Sequence, residues 1–200
     1  MTLFEKLSTI NINNKHLSIK LYDKNDFVAL DDCFDKSLFK WFIRHYNDFD
    51  DFISEKKTEF QNKKLVPLTI FDNDGKPFGI TCLYSLDNKN NSLEVGSTWI
   101  AKKYQGTGYN LIFKYYLFKS LVEDFKLNRV QLKADADNLK SIGSMQSVGL
   151  NYEGKLLSHM VVQGGRVRDT EMFSITQNTW ENIKKFMQSK LNKKYSDRRW

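Results

Sequence analysis

Leu93-Glu94-Val95-Gly96-Ser97-Thr98-Trp99-Ile100-Ala101-Lys102-Lys103-Tyr104-Gln105-Gly106-Thr107-Gly108-Tyr109-Asn110-Leu111 is the stretch on which the reading of this chain turns. Leu93, Val95, Ser97 and Trp99 alternate with Glu94, Gly96, Thr98 and Ile100, the two-residue period of a strand. Gln105-Gly106-Thr107-Gly108 then makes a tight glycine turn. Beyond it Leu111, Tyr115, Phe118, Val122 and Phe125 recur at helical spacing. A strand that runs through glycines into a helix N-terminus forms an anion site. The N–H groups of the first helical turn lack intrahelical partners, and the helix dipole favours negative charge there. The spacing predicts a phosphate-bearing ligand against Gln105–Asn110.

Upstream of this stretch, Val66–Phe71 and Phe78–Leu86 read as strands joined by Asn73-Asp74-Gly75, a hairpin signal, with Asn88–Asn91 as the next turn. Asp50–Asn62 reads as a charged helix with Phe52, Ile53 and Phe60 inward. The segment 35–48 holds Phe39, Trp41, Phe42 and Tyr46 without a clean period. Leu17–Leu21 alternates as a first strand, and Asp23–Asn25 caps a helix running through Phe34. Residues 1–14, polar and weakly patterned, read as an N-terminal arm.

Downstream, Val130, Leu132 and Ala134 mark a short strand. Asn138 then caps a helix with Leu139, Ile142, Met145 and Val148 inward, ended by Gly149. Tyr152–Gln163 and Arg166–Ile175 flank Gly164-Gly165, a second hairpin. Trp180, Ile183, Phe186, Met187 and Leu191 form an amphipathic helix before a basic tail, 193–200. The elements make an α+β chain, a central mixed sheet with helices around it. There is no internal repeat and no Pro- or Ser-rich linker, so 15–192 reads as one domain.

With 200 residues, 40% of them hydrophobic, the chain is long enough for a substantial core. Its net charge of +7 suits an acidic ligand or partner. Cys33 and Cys82 are isolated, which argues against a disulfide framework and for a reducing cytoplasm. The N-terminus lacks a signal peptide's apolar centre, and no apolar run is long enough to span a bilayer. His16, His45 and His159 share no metal-ligand spacing with the cysteines. A P-loop motif is absent. Gly106-Thr107-Gly108 begins like a dinucleotide fingerprint, but Leu111 stands where the third glycine belongs, and antiparallel strands precede the loop. Taken alone, the glycines could simply make a tight strand-to-helix turn.

They do not stand alone. Gln105-Gly106-Thr107-Gly108-Tyr109-Asn110 resembles the Gln/Arg-x-x-Gly-x-Gly/Ala signature of the GCN5-related N-acetyltransferases (GNAT), with Asn110 departing from the last position. Glu94-Val95-Gly96-Ser97-Thr98-Trp99-Ile100, Asn138-Leu139-Lys140-Ser141 with Gly149-Leu150, and Gly165-Arg166-Val167-Arg168-Asp169-Thr170 are similar to the branch that acetylates ribosomal-protein N-termini (RimJ/RimL-like). The resemblance covers roughly Leu17 to Leu191. It implies a mostly antiparallel sheet splayed at its centre and acetyl-CoA as acetyl donor. It also implies a pyrophosphate held by Gln105, Gly106, Thr107, Gly108, Tyr109 and Asn110, a pantetheine arm along Val95–Ala101 (Trp99, Ile100 and Ala101 among them), and Asn138 touching that arm.

Acetyl transfer needs a deprotonated amine, a polarised thioester carbonyl and a proton or hydrogen bond for the departing thiolate. Glu94, on a strand face with the small Gly96 and Thr98, is the candidate base; an ion pair is its bland alternative. Many family members carry a tyrosine acid seven residues after the helix-starting asparagine. That position is Met145 here, and Ser141 matches the serine that the RimL-like branch places by the sulfur. Trp41, Phe42 and Tyr46 could wall the acceptor groove or simply be core. His159 could lie near that groove or on the surface. Arg166, Arg168 and Asp169 could pair across their hairpin. Lys184, Lys185, Lys190, Lys193, Lys194, Arg198 and Arg199 form a basic end, solvated or set against ribosomal RNA. The expected activity is acetyl-CoA-dependent N-acetylation of a primary amine, a protein N-terminus or a small amine, by a cytoplasmic monomer or homodimer. The alternative is a non-catalytic acyl-CoA-binding or ribosome-associated module of the same fold.

Overall fold

In the computed structural model, which describes residues 1–194, the alternating segments build one eight-stranded sheet. Its strands are β1 (Asn11–Asn13), β2 (Leu17–Leu21), β3 (Val66–Asp72), β4 (Pro77–Asp87), β5 (Ser92–Ile100), β6 (Arg129–Asp135), β7 (Asn151–Val161) and β8 (Val167–Thr176). The spatial order is β1-β2-β3-β4-β5-β6-β8-β7. Every neighbouring pair is antiparallel except β5 and β6. The helices are α1 (Leu3–Leu7), α2 (Phe27–Asp31), α3 (Phe49–Gln61), α4 (Tyr109–Lys119), α5 (Leu139–Gln146) and α6 (Gln177–Lys194). α4 runs on as a wider π turn, Ser120–Asp124.

Because side chains alternate across a strand, the sheet carries a core on each face. Leu68, Ile70, Leu93, Val95, Val130, Leu132, Phe173 and Ile175 pack with Ile112, Phe113, Leu117 and Phe118 of α4 and Trp180, Ile183, Met187 and Leu191 of α6. The opposite core is aromatic. Ile80, Cys82 and Trp99 meet Leu30, Phe39, Tyr46, Phe49, Phe52 and Ile53 there. Each such fully buried side chain contributes about 1.5–3 kcal/mol.

The sequence expectations need correcting in several places, Leu139 among them: expected inward on α5, it is exposed. Residues 1–14 are not a loose arm: Thr2 and Glu5 form a capping box on α1, Leu3, Leu7 and Ile10 enter the first core, and β1 extends the sheet. The helix expected through Phe34 is a single 3₁₀ turn, Lys24–Asp26, capped by Asp23, followed by the short α2. Phe186 is half-exposed, its ring lying 2.7 Å from where a Cβ on Gly149 would stand. The second hairpin turns through Gln163–Gly165 rather than two glycines alone, with Val162 N–H bonded to the Arg166 carbonyl. Cys33 and Cys82 are free thiols. Among the described residues no helix is long and apolar enough to cross a membrane, and no group of three or more His, Cys, Asp or Glu could hold a metal ion.

Candidate active site

β5 and β6 run side by side only from Ser92–Arg129 to Glu94–Gln131, and then part. On its other edge β5 stays paired to β4, with a slip: Gly96 opposes Cys82 and Trp99 opposes Ile80. Ser97 occupies the left-handed region at φ 47, so two residues of β5 stand where β4 has one. Such a bulge bends the strand and reverses the alternation beyond it. Trp99 therefore falls on the aromatic face with Gly96 and Glu94, packed edge-on against Phe34 and Phe49. Thr98 turns to the other face, its hydroxyl 2.6 Å from that of Thr81. The expectation that Glu94, Gly96 and Thr98 share a face is corrected accordingly: a strict period of two cannot register an inserted residue. Trp99, expected along the cofactor arm, places its indole in the aromatic core, and only its main chain follows the parted edge. Ile100 and Ala101 are buried, with Ala101 N–H bonded to the Phe78 carbonyl.

At the end of β5 the loop closes on itself. Gln105 Nε2 donates to the Ile100 carbonyl and its Oε1 accepts from Lys140 Nζ at 2.5 Å, while Thr107 Oγ1 donates to the Tyr104 carbonyl. Gly106 (φ 76) and Gly108 (φ 109) adopt backbone that other residues enter only under strain. Gly108 is the N-cap of α4, and no side-chain cap hydrogen bond closes that end of the helix. A helix N-terminus led by glycine is the kind of backbone that suits an anion. Tyr109 turns away and donates to Asn73 Oδ1. Asn110 is drawn to α5, its Nδ2 donating to Ser144 Oγ. On α5, Asn138 Oδ1 accepts from Ser141 N–H at 3.1 Å, and the half-buried Ser141 stands one turn into the helix. Met145, in the position of the family's tyrosine acid, is buried in the core.

Glu94 lies at the fork between β5 and β6. Its Oε2 is 2.7 Å from Lys133 Nζ and accepts from Gln131 Nε2 at 3.3 Å. A Cβ at Gly96 would come within 3.4 Å of the Tyr84 ring and 3.7 Å of Glu94 Oε1. Gly96 thus leaves a space between these two side chains. Tyr84 OH and Ser97 Oγ are 2.7 Å apart, and burial keeps the Tyr84 phenol well above its usual range. The buried Lys56 ammonium lies against the Tyr84, Phe52 and Tyr46 rings and pairs with Glu55 and Glu59.

Across the aromatic face, Gln163 at the β7–β8 turn donates through Nε2 to the Phe39 and Phe42 carbonyls, and its N–H bonds the Ile43 carbonyl. His45 Nδ1 reaches its Oε1. This ties the segment from Phe39 to His45 to the β7–β8 turn; Phe39 and Tyr46 are buried there, and Trp41 and Phe42 are half-buried. His159 is half-buried, its Nδ1 without a hydrogen-bond partner. The Arg166–Arg168–Asp169 run does not pair within itself. Arg166 reaches Asp135 and Asp137, the buried Arg168 donates through Nε to Thr170, and Asp169 accepts from Ser158 N–H. Of the basic end, Lys184 pairs with Glu123 and Lys190 donates to the Ser147 carbonyl, whereas Arg198 and Arg199 lie outside the described residues. The sequence reading did not single out Tyr84, Lys114 or Ser144; only the meeting of separate elements reveals them.

The eight-stranded sheet that parts between β5 and β6, with a glycine-led helix after β5, matches the fold of solved acetyltransferases. The chain belongs to the acetyltransferase (GNAT) family, whose domain matches residues 18–151. It is an N-acetyltransferase that takes its acetyl group from acetyl-CoA. Solved structures share the fold. A GCN5-related N-acetyltransferase from Brucella melitensis superposes with a TM-score of 0.77 at 19% identity, over 90% of this chain and 85% of that one. Spermidine N-acetyltransferase from Vibrio cholerae, in complex with CoA and spermine, gives 0.70 at 18% identity, over 84% of this chain and 100% of that one. A protein from Vibrio cholerae assigned as a ribosomal-protein-serine acetyltransferase gives 0.71 at 19% identity, over 88% and 99%. No curated protein matches the sequence.

Proposed function

We propose that the Gln105–Asn110 cradle holds the phosphates of acetyl-CoA, that the parted edge of β5 receives its pantetheine arm, and that a primary amine enters over Glu94 from the aromatic face. The observation that carries this reading is the parting of β5 from β6 directly after Glu94, with a glycine, Gly108, at the N-cap of the helix that follows the same strand. Glu94 takes a proton from the incoming ammonium, directly or through one water, displacing its contact with Lys133. The amine nitrogen then attacks the thioester carbon. The C–N bond forms, the C–S bond breaks, and the thiolate departs on a hydrogen bond from Ser141 and takes up the proton that the amide nitrogen sheds, leaving as the thiol. Asn138 fixes Ser141 by capping α5. Trp99, Ile100 and Ala101 contribute main chain rather than side chains to the arm.

The acceptor is a protein N-terminal amine, as in the RimJ/RimL-like branch, or a small amine. The likenesses to a ribosomal-protein and a spermidine acetyltransferase are compatible with each. A screen reading free CoA release, with N-terminal peptides beside polyamines and amino acids, separates the two. Gly108→Asp should nearly abolish acetyl-CoA binding through bulk and repulsion, and since φ 109 strains any side chain there, its melting temperature is read beside the binding. Unchanged binding by calorimetry would remove the loop from the site.

A further inference from the structure

One buried cation has no place in this chemistry. Lys114 lies one turn beyond Asn110 on α4, about 6 Å further along the helix axis and on the same face. It is 6% exposed. Its Nζ donates to Ser144 Oγ at 2.7 Å, the same hydroxyl that accepts from Asn110 Nδ2 at 2.9 Å. Among the described residues none offers it an anion. On α4 itself Tyr115 OH accepts from Gln188 of α6, and on α5 Lys140 is held by Gln105. On α6 Lys184 is paired with Glu123, and Lys190 is held by a carbonyl. Burial alone pushes the Lys114 ammonium down to about 8. Burying an ammonium on a single neutral hydroxyl is costly, and a methionine of the same length would pack there without that cost.

We infer that Lys114 is the counter-charge for the phosphates of acetyl-CoA, held in the α4–α5 seam behind the cradle and coupling cofactor binding to proton uptake. The inference rests on the reading that Gln105–Asn110 holds those phosphates. Asn110 and Ser144 join the cradle to the amine, so a charge placed against the first turn of α4 is felt one turn away through these half-buried groups. The phosphates favour the protonated amine, and the protonated amine favours the phosphates. By linkage these are one effect.

Calorimetry of acetyl-CoA binding at pH 8.5, in buffers of different ionisation enthalpy, measures the protons taken up. A group titrating at about 8 is charged in about a quarter of free molecules at that pH, so binding should take up about three-quarters of a proton. The uptake should vanish in Lys114→Met and for acetyl-pantetheine, which lacks the phosphates. Lys114→Met should weaken acetyl-CoA binding roughly tenfold at pH 7 yet leave the apo melting temperature unchanged or higher, because an unpaired buried charge is removed. A strut between α4 and α5 would instead lose melting temperature and leave the proton count alone. No uptake by the wild type, or equal uptake by Lys114→Met, overturns the inference while the cradle stands. Full binding by Gly108→Asp overturns the cradle itself.

Discussion

Replacing Glu94 by glutamine separates what this side chain does for the fold from what it does for the reaction. Glutamine keeps the length and shape, and its carbonyl oxygen can still accept from Lys133 and Gln131. What disappears is one partly exposed ion pair, worth about 0–1 kcal/mol. For a chain of this size that moves the melting temperature by about 2–4 °C at most. Turnover should respond on another scale. An amide accepts no proton, so the turnover number should fall by roughly 10²–10⁴, or about 3–5.5 kcal/mol of transition-state stabilisation. The residual rate should climb with pH as more of the amine is already neutral, and acetyl-CoA affinity should hold. The assays are thermal melting and a pH–rate profile with one acceptor at saturating acetyl-CoA. A wild-type rate across neutral pH would leave Glu94 as the Lys133 partner alone and send the search for the base elsewhere.

Ser141→Ala should also slow turnover, but raising the pH should not restore it, because the thiolate and not the amine loses its partner; recovery at high pH would reassign the serine. Gly79→Ala would place a Cβ 2.5 Å from the Trp99 carbonyl oxygen, forcing β4 from β5. Overpacking of this kind costs about 1–3 kcal/mol and should lower the melting temperature by about 2–12 °C, a shift absent if the strands yield freely. The hydrogen bond from Arg129, opposed by burial, holds the Glu153 carboxyl down at about 2. Its stabilisation is complete above the ordinary value of 4.5 and is lost as pH falls from there toward 2. Glu153→Gln should flatten that part of the acid-unfolding curve, and an unaltered curve would show that the pair is solvated away.

The order of elements was legible because their signals are local: the Asn73-Asp74-Gly75 turn, the alternation of β2 to β5, and the glycines before α4 each lie within a few residues of one another. The N-terminal helix was missed because a five-residue segment carries too little period to read. Leu3, Leu7 and Ile10 declare themselves only when the sheet receives them. In the site, the glycine turn and the start of α4 at Gln105–Asn110 could be read directly. The bulge at Ser97 could not, since it depends on how β4 and β5 register. The partners of Glu94 and Lys114 come from β6 and α5, and no spacing along one strand or helix announces them.

The contacts of Gln163 carry a consequence for anyone who would alter this enzyme. Its amide nitrogen and main-chain N–H grasp the carbonyls of Phe39, Phe42 and Ile43, not their side chains. The clasp is therefore indifferent to what residues 40, 41, 43 and 44 are, provided the chain keeps its path. That makes the segment a place where a mutational library could be spread without unfastening this contact between two distant parts of the chain.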